Sequence, residues 1–234
     1  MTDIKLSKRM QAVADMVDES KIVDIGCDHA FVSMYMIQAK KADRVIAMDV
    51  KKGPLDIAKN NIFDYGMADL IDVRLSNGFD KLSVGEADCA IIAGMGGGLM
   101  VDILTRGKPH IDAGIHLVLQ PQSEPWKVRE HLCSIGYEIV KEDMVEEDDK
   151  FYVIIKAIPA IEDIKTYSMV ELTYGRILLK VKHPVLIRYI QKNRDKNIEL
   201  FNKLEHIHTD KSFSRQNNLK EEILFDEEAL KLLA

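Results

Sequence analysis

Three short stretches of this chain hold the side chains and glycines that could do chemistry. The first reads Asp24-Ile25-Gly26-Cys27-Asp28-His29-Ala30, and Asp49 follows 23 residues after Gly26. The second is Gly94-Met95-Gly96-Gly97-Gly98, and the third is Gln120-Pro121-Gln122. Carboxylates beside a glycine turn can accept hydroxyl hydrogen bonds or face a cation. Clustered glycines let backbone come close to a ligand or a flat base.

Each stretch ends an apolar run of strand length: residues 22–25, 45–48, 87–93 and 116–119. Residues 30–40 carry the spacing of a crossover helix between the first two runs. A strand, a glycine turn, a helix and an acid at the next strand's tip form a nucleoside-binding half of a doubly wound sheet. A dinucleotide turn needs three glycines, but Asp28 and Ala30 stand at its second and third positions. Carboxylates there repel a pyrophosphate and tolerate a cation. That points to S-adenosylmethionine, a nucleoside with a sulfonium and no phosphate, with Asp49 accepting from both ribose hydroxyls. The plainer alternative is that Gly26 only ends a strand and the acids are solvated turn residues.

The remaining elements must position these tips. Leu6, Met10, Val13 and Val17 predict a helix over 4–17, with Arg9 off the stripe. Arg9 is either solvated or reaches the methionine carboxylate or an RNA backbone. A helix over 53–66 and a strand over 71–75 lead to Ser76-Asn77-Gly78, where Asn77 either reads the adenine edge or belongs to a common turn. The glycine cluster lacks the Lys-Ser/Thr ending of a phosphate loop, which argues against nucleoside triphosphate hydrolysis. Helices over 99–104 and 125–135 and two β-rich runs, 137–145 and 151–158, complete the series. After Pro159 glycine nearly vanishes. Two apolar stripes, Val185 to Leu204 and Leu219 to Leu233, predict an antiparallel helical hairpin joined by a polar loop over 208–216. His206-x-His208 has the wrong spacing for one helix face and reads as surface.

Composition narrows the classes. No apolar run approaches ~20 residues, and the first residues lack an apolar signal core, so a cytosolic protein is expected. Cys27, Cys89 and Cys133 share no metal-ligand spacing, and no metal is expected. The net charge of −6 is uneven: residues 176–220 hold eleven Lys/Arg and four Asp/Glu. Such an arm on an acidic body is either a phosphate grip or a solvated helical face.

These pieces resemble a bacterial family of tRNA adenine-N1 methyltransferases that modify the adenine at position 22. The matching stretches are Leu6-Ser7-Lys8-Arg9-Met10, Asp24 through Ala30, the Asp49 tip and Ser76-Asn77-Gly78. Ile92-Ala93-Gly94-Met95-Gly96-Gly97 and Leu117-Val118-Leu119-Gln120-Pro121 complete them. The chain departs from the family pattern at Phe31, where a hydroxylated aromatic is usual, at Ser33 in place of proline, and at Gln122 in place of asparagine. The resemblance implies a Rossmann-like α/β methyltransferase domain over 1–160 and a helical coiled-coil domain over 161–234 that helps grip tRNA. It also implies a monomer.

The expected chemistry is methyl transfer to adenine N1, whose in-plane lone pair needs no general base. Candidates near the reacting base are Asp28, His29, Gly94 and Met95. Candidates for the cofactor are Arg9, Asp24, Gly26, Cys27, Asp49, Val50, Asn77, Gly78, Ala93 and Gly94. Candidates for RNA are Phe31, Gly96, Gln120, Pro121, Lys192, Arg194 and Lys196. The competing readings are a non-catalytic nucleoside-binding regulator, a nicotinamide oxidoreductase disfavoured by Asp28 and Ala30, and a methyltransferase for another RNA or a small molecule.

Overall fold

The computed structural model describes residues 3–205, 207 and 209–234, so the His206 and His208 pair lies outside the described residues. The chain divides into two units, Met1–Lys165 and Thr166–Ala234. The first helix, α1 (Lys8–Asp15), is shorter than the apolar stripe predicts. Ser7 stops it at the front: its backbone is extended and its side chain accepts from the Met10 amide. Ile4 is buried outside the helix, and its amide donates to Gln38 Oε1 at 2.7 Å.

The chain continues through β1 (Lys21–Ile25), α2 (Phe31–Gln38), β2 (Arg44–Asp49), α3 (Lys52–Asp64) and β3 (Ile71–Leu75). It goes on through β4 (Cys89–Gly96), α4 (Gly97–Arg106), α5 (Lys108–Asp112), β5 (His116–Ser123), α6 (Pro125–Ser134), β6 (Tyr137–Glu147) and β7 (Lys150–Pro159). β1 and β2 each bury four consecutive residues, as strands covered on both faces must. The seven strands order as β3-β2-β1-β4-β5-β7-β6. β1 to β5 run parallel, and β7 is antiparallel to both β5 and β6. This is a Rossmann-like, doubly wound sheet that closes with an antiparallel pair. Its order reverses at β1, and ligands bind outside the carboxyl ends of the strands at such a point.

β4 and β5 run further than their apolar cores predict, to Gly96 and Ser123. Their register shifts on either side of Met95, so Pro121 pairs with Met95 inside an irregular stretch where its missing N–H is tolerated. α4 and α6 pack on each other, and Met100 and Leu104 of the first and Val128 and Leu132 of the second are buried. α6 is tied to β6 by a fully buried ion pair, Arg129 Nε to Glu142 Oε1 at 2.8 Å.

The second unit holds α7 (Met169–Tyr174), α8 (Arg176–Lys180), α9 (Pro184–Leu204) and α10 (Asp210–Leu233). α9 and α10 pack together, and the pairings Asn193 with Asp226 and Phe201 with Lys220 make them antiparallel. The polar stretch predicted as a loop is largely helix. Thr209 and Ser212 form a reciprocal cap that starts α10 early, and a polar surface is no obstacle once the end is capped. Two stripe positions also differ, since Ile198 and Leu224 are exposed while Asn197 and Asp226 are buried. Asp226 accepts from the Tyr174 hydroxyl at 2.5 Å and from Asn193 Nδ2 at 3.2 Å, so the buried carboxylate is hydrogen-bonded rather than stranded.

Candidate active site

The turn after β1 is held in an unusual shape by its own backbone. Gly26 has a φ of +79°, and its amide and that of Cys27 both donate to the Met48 carbonyl at the end of β2. Asp28 and Ala30 also adopt left-handed backbone, which costs a non-glycine residue free energy and persists only where the surroundings impose it. The imposing contact is Asp49. Its carboxylate accepts from the Asp28 amide at 3.2 Å and from the Lys51 amide at 2.8 Å. An ionised carboxylate has about four lone-pair sites, so half remain for a ligand with two neighbouring hydroxyls.

Beneath this turn Asp24 is buried and accepts from Ser33 Oγ at 2.6 Å. Burial, followed by the charge on Asp49, pushes its carboxyl up to about 6. A cation in the cleft would restore the ionised form, whereas a phosphate would oppose it. Burial and the surrounding acids push the Cys27 thiol far up, so it is no nucleophile. His29 Nε2 lies 3.6 Å from Asp28 Oδ1, too far for a tight dyad, and its carbonyl accepts from Asn61.

The second tip approaches from β4. A β-carbon on residue 26 would collide with the Met95 methyl, so Met95 lies across Gly26 and links the two glycine turns. Gly94 has a φ of +77°, and its amide donates to Gln120 Oε1 at 3.2 Å. The same oxygen accepts from Arg9 Nη1 at 2.9 Å, and Gln120 Nε2 donates to the Pro121 carbonyl. Arg9 also stacks 5.0 Å from the Tyr152 ring centroid, and its amide donates to Glu147. At Gly97 a β-carbon would meet the carbonyls of Ser123 and Glu124 at 2.7 and 2.6 Å, so β5 runs flush against the start of α4.

Together these tips enclose a cleft of about 590 Å³. Of the sequence candidates, Arg9, Asp24, Gly26, Cys27, Asp28, His29 and Phe31 line it from the first half of the sheet. Asp49, Val50, Asn77, Gly78, Ala93, Gly94 and Met95 complete the lining candidates. Gly96, Gln120 and Pro121 do not line it. Gln120 is wholly buried behind Gly94 and acts on the cleft through its hydrogen bonds. Lys192, Arg194 and Lys196 lie on α9 in the other unit, where Arg194 pairs with Asp195 at 2.8 Å. Sequence reasoning passed over Lys51, Leu99 and Ile103 and noted Ser76 and Gln122 without giving them a role at the site, yet all five are in the cleft wall. Leu99 had a usable signal, an apolar residue just past a glycine tip in the first turn of the following helix.

A family model described as "Methyltransferase domain" matches residues 6–155. The tRNA (adenine(22)-N(1))-methyltransferase of Bacillus subtilis (strain 168) is 35% identical over 193 residues, covering 80% of this chain and 81% of that protein. The crystal structure of the B. subtilis M1A22 tRNA methyltransferase TrmK superposes with a TM-score of 0.84 at 30% identity, over 97% of this chain and 99% of that one. Streptococcus pneumoniae Sp1610 in complex with S-adenosyl-L-methionine gives a TM-score of 0.85 at 28% identity, over 97% and 100%. With a methyltransferase domain, these relatives and a cleft built for a cationic nucleoside, the chain belongs to the tRNA (adenine(22)-N(1))-methyltransferase family.

Proposed function

We infer that the cleft transfers a methyl group from S-adenosylmethionine to N1 of adenine 22 in tRNA. The observation that carries this reading is the acid-lined turn at Asp24, Asp28 and Asp49 facing a second tip made almost wholely of backbone. When bound, S-adenosylmethionine supplies an activated methyl on a cationic sulfur, and the N1 lone pair accepts it with no prior loss of a proton. The chain's work is therefore alignment and charge. Asp49 holds the ribose, and Asp24 and Asp28 supply negative potential for the cation. Val50, Asn77 and Gly78 enclose the adenine of the cofactor, with Asn77 steadied by Arg106 Nη2 at 3.2 Å.

The reacting base enters beside Gly94, Met95 and Phe31. Phe31 is 44% exposed, as a stacking surface for a base taken out of its pairing must be. The methylated ring carries a positive charge, which Asp28 and the carbonyls of Ala93 and Gly94 offset. His29 helps orient Asp28 and is not a general base, in keeping with their 3.6 Å separation. Gln120 sets the backbone of Gly94 and the guanidinium of Arg9 by accepting from both. The helical region over 161–234 grips tRNA through Lys192, Arg194 and Lys196, and the protein acts in the cytoplasm as a monomer. Among the described residues no helix is long and apolar enough to cross a membrane, and no three His, Cys, Asp or Glu side chains come together as metal ligands.

The test is methyl transfer from labelled S-adenosylmethionine to unmodified tRNA, with nucleoside digestion. N1-methyladenosine at position 22 is expected. Cofactor binding with no transfer would refute the reading.

A further inference from the structure

The tip of β4 contributes Ala93, Gly94, Met95 and Gly96, so no side chain on it can form hydrogen bonds with a base through oxygen or nitrogen. Recognition of the target must come from elsewhere in the wall. Several polar groups there already have partners, and Asp28 faces the charge of the cofactor and product. Asp49 holds two backbone amides, and Asn77 Oδ1 holds Arg106. Gln122 is different. It lines the cleft from the end of β5, its Nε2 lies 3.8 Å from where a β-carbon on Gly94 would sit, and it is exposed. Its carboxamide has no hydrogen-bond partner among the described residues. Two positions earlier on the same strand, the Gln120 carboxamide is buried, with hydrogen bonds at both its oxygen and its nitrogen. The strand thus turns one amide into the scaffold and the other into the cleft.

We propose that Gln122 selects the target base, its Oε1 accepting from N6 and its Nε2 donating to N7 of the reacting adenine. The proposal rests on the methyl-transfer reading above. Adenine N1 must face the methyl group, so the edge left for a side chain beside Gly94 is the one bearing N6 and N7. An amide presents one acceptor and one donor in the spacing that this edge requires. Guanine offers two acceptors there and would set its O6 against the amide oxygen, and pyrimidines have no N7.

The experiment compares tRNA carrying adenosine at position 22 with tRNA carrying 7-deazaadenosine there, for the wild type and for Gln122→Leu. The wild type should lose roughly ten- to hundredfold in kcat/KM on the 7-deaza substrate, the range of one bidentate base contact. Gln122→Leu should lose a similar factor on adenosine and nothing further on 7-deazaadenosine. Equal wild-type rates on the two substrates would overturn the proposal, as would a variant that still distinguishes them by the full factor. The wild-type comparison stands even if the variant misfolds. Absence of N1-methyladenosine on the adenosine substrate would instead defeat the underlying reading.

Discussion

Asp49 serves the fold and the ligand with one carboxylate. Two of its lone-pair sites fix the amides of Asp28 and Lys51, and the remainder face the cleft. Asp49→Ala should weaken cofactor binding by tenfold or more, since hydrogen bonds to a charged group contribute about 1.5–3 kcal/mol each. Isothermal calorimetry reads this directly, and unchanged affinity would remove Asp49 from the site. Asp24 gives a pH signature. Its carboxyl is raised from an ordinary carboxylate value to about 6, so the unliganded fold holds a proton there that the unfolded chain has lost. Its contribution to stability therefore falls as pH rises from about 4 to about 6 and is level above that, a cost on the order of 3 kcal/mol at neutral pH. A bound cation reverses the preference and expels the proton. Cofactor binding near pH 6 should release up to about half a proton and tighten between pH 5 and 7. Calorimetry in buffers of different ionisation enthalpy should find that release, and Asp24→Asn should abolish it.

Between elements, the buried ion pair of Arg129 and Glu142 joins α6 to β6, with side-chain exposures of 0% and 1%. Removing one partner takes the counter-charge from the other in a dry interior. Glu142→Ala should cost about 3–5 kcal/mol, seen as a lower urea midpoint. Replacing both residues with apolar ones of similar volume should recover most of that loss, because the desolvation cost of the pair disappears with it. A single variant of wild-type stability would show that the pair contributes little. The strain at the cleft is also a property of elements. Asp28 and Ala30 keep left-handed backbone because β2 supplies both the Met48 carbonyl and the Asp49 carboxylate that clamp the turn.

For the whole molecule, the excess of positive charge over residues 176–220 belongs to the unit that lacks the cleft. Reversing charge at Lys192, Arg194 and Lys196 should weaken tRNA binding and lower the salt slope by about 2–3, the loss of three phosphate contacts. Cofactor affinity should stay unchanged, because none of the three lines the cleft. Fluorescence anisotropy across a salt series separates the outcomes, and an unaltered slope would mean that tRNA is held elsewhere.

The sequence by itself determined the order of the strands and of the helices other than α5 in the first unit, the acid-lined glycine turn and the nature of its ligand. Those follow from local rules: apolar runs demand burial, glycine permits the turn, and a carboxylate in place of glycine excludes phosphate. Asp24, Asp49 and Gly94 were legible because each lies at or near the carboxyl end of an apolar run. Tertiary structure decided which side chains at these tips face the ligand. Gln120 and Gln122 are two residues apart and chemically identical, yet one is sealed beneath Gly94 while the other lines the cleft. The irregular pairing of β4 with β5 and the close approach of Gly97 to the end of β5 accompany that difference. No local pattern encodes it, because side-chain direction at a bulge depends on the neighbouring strand.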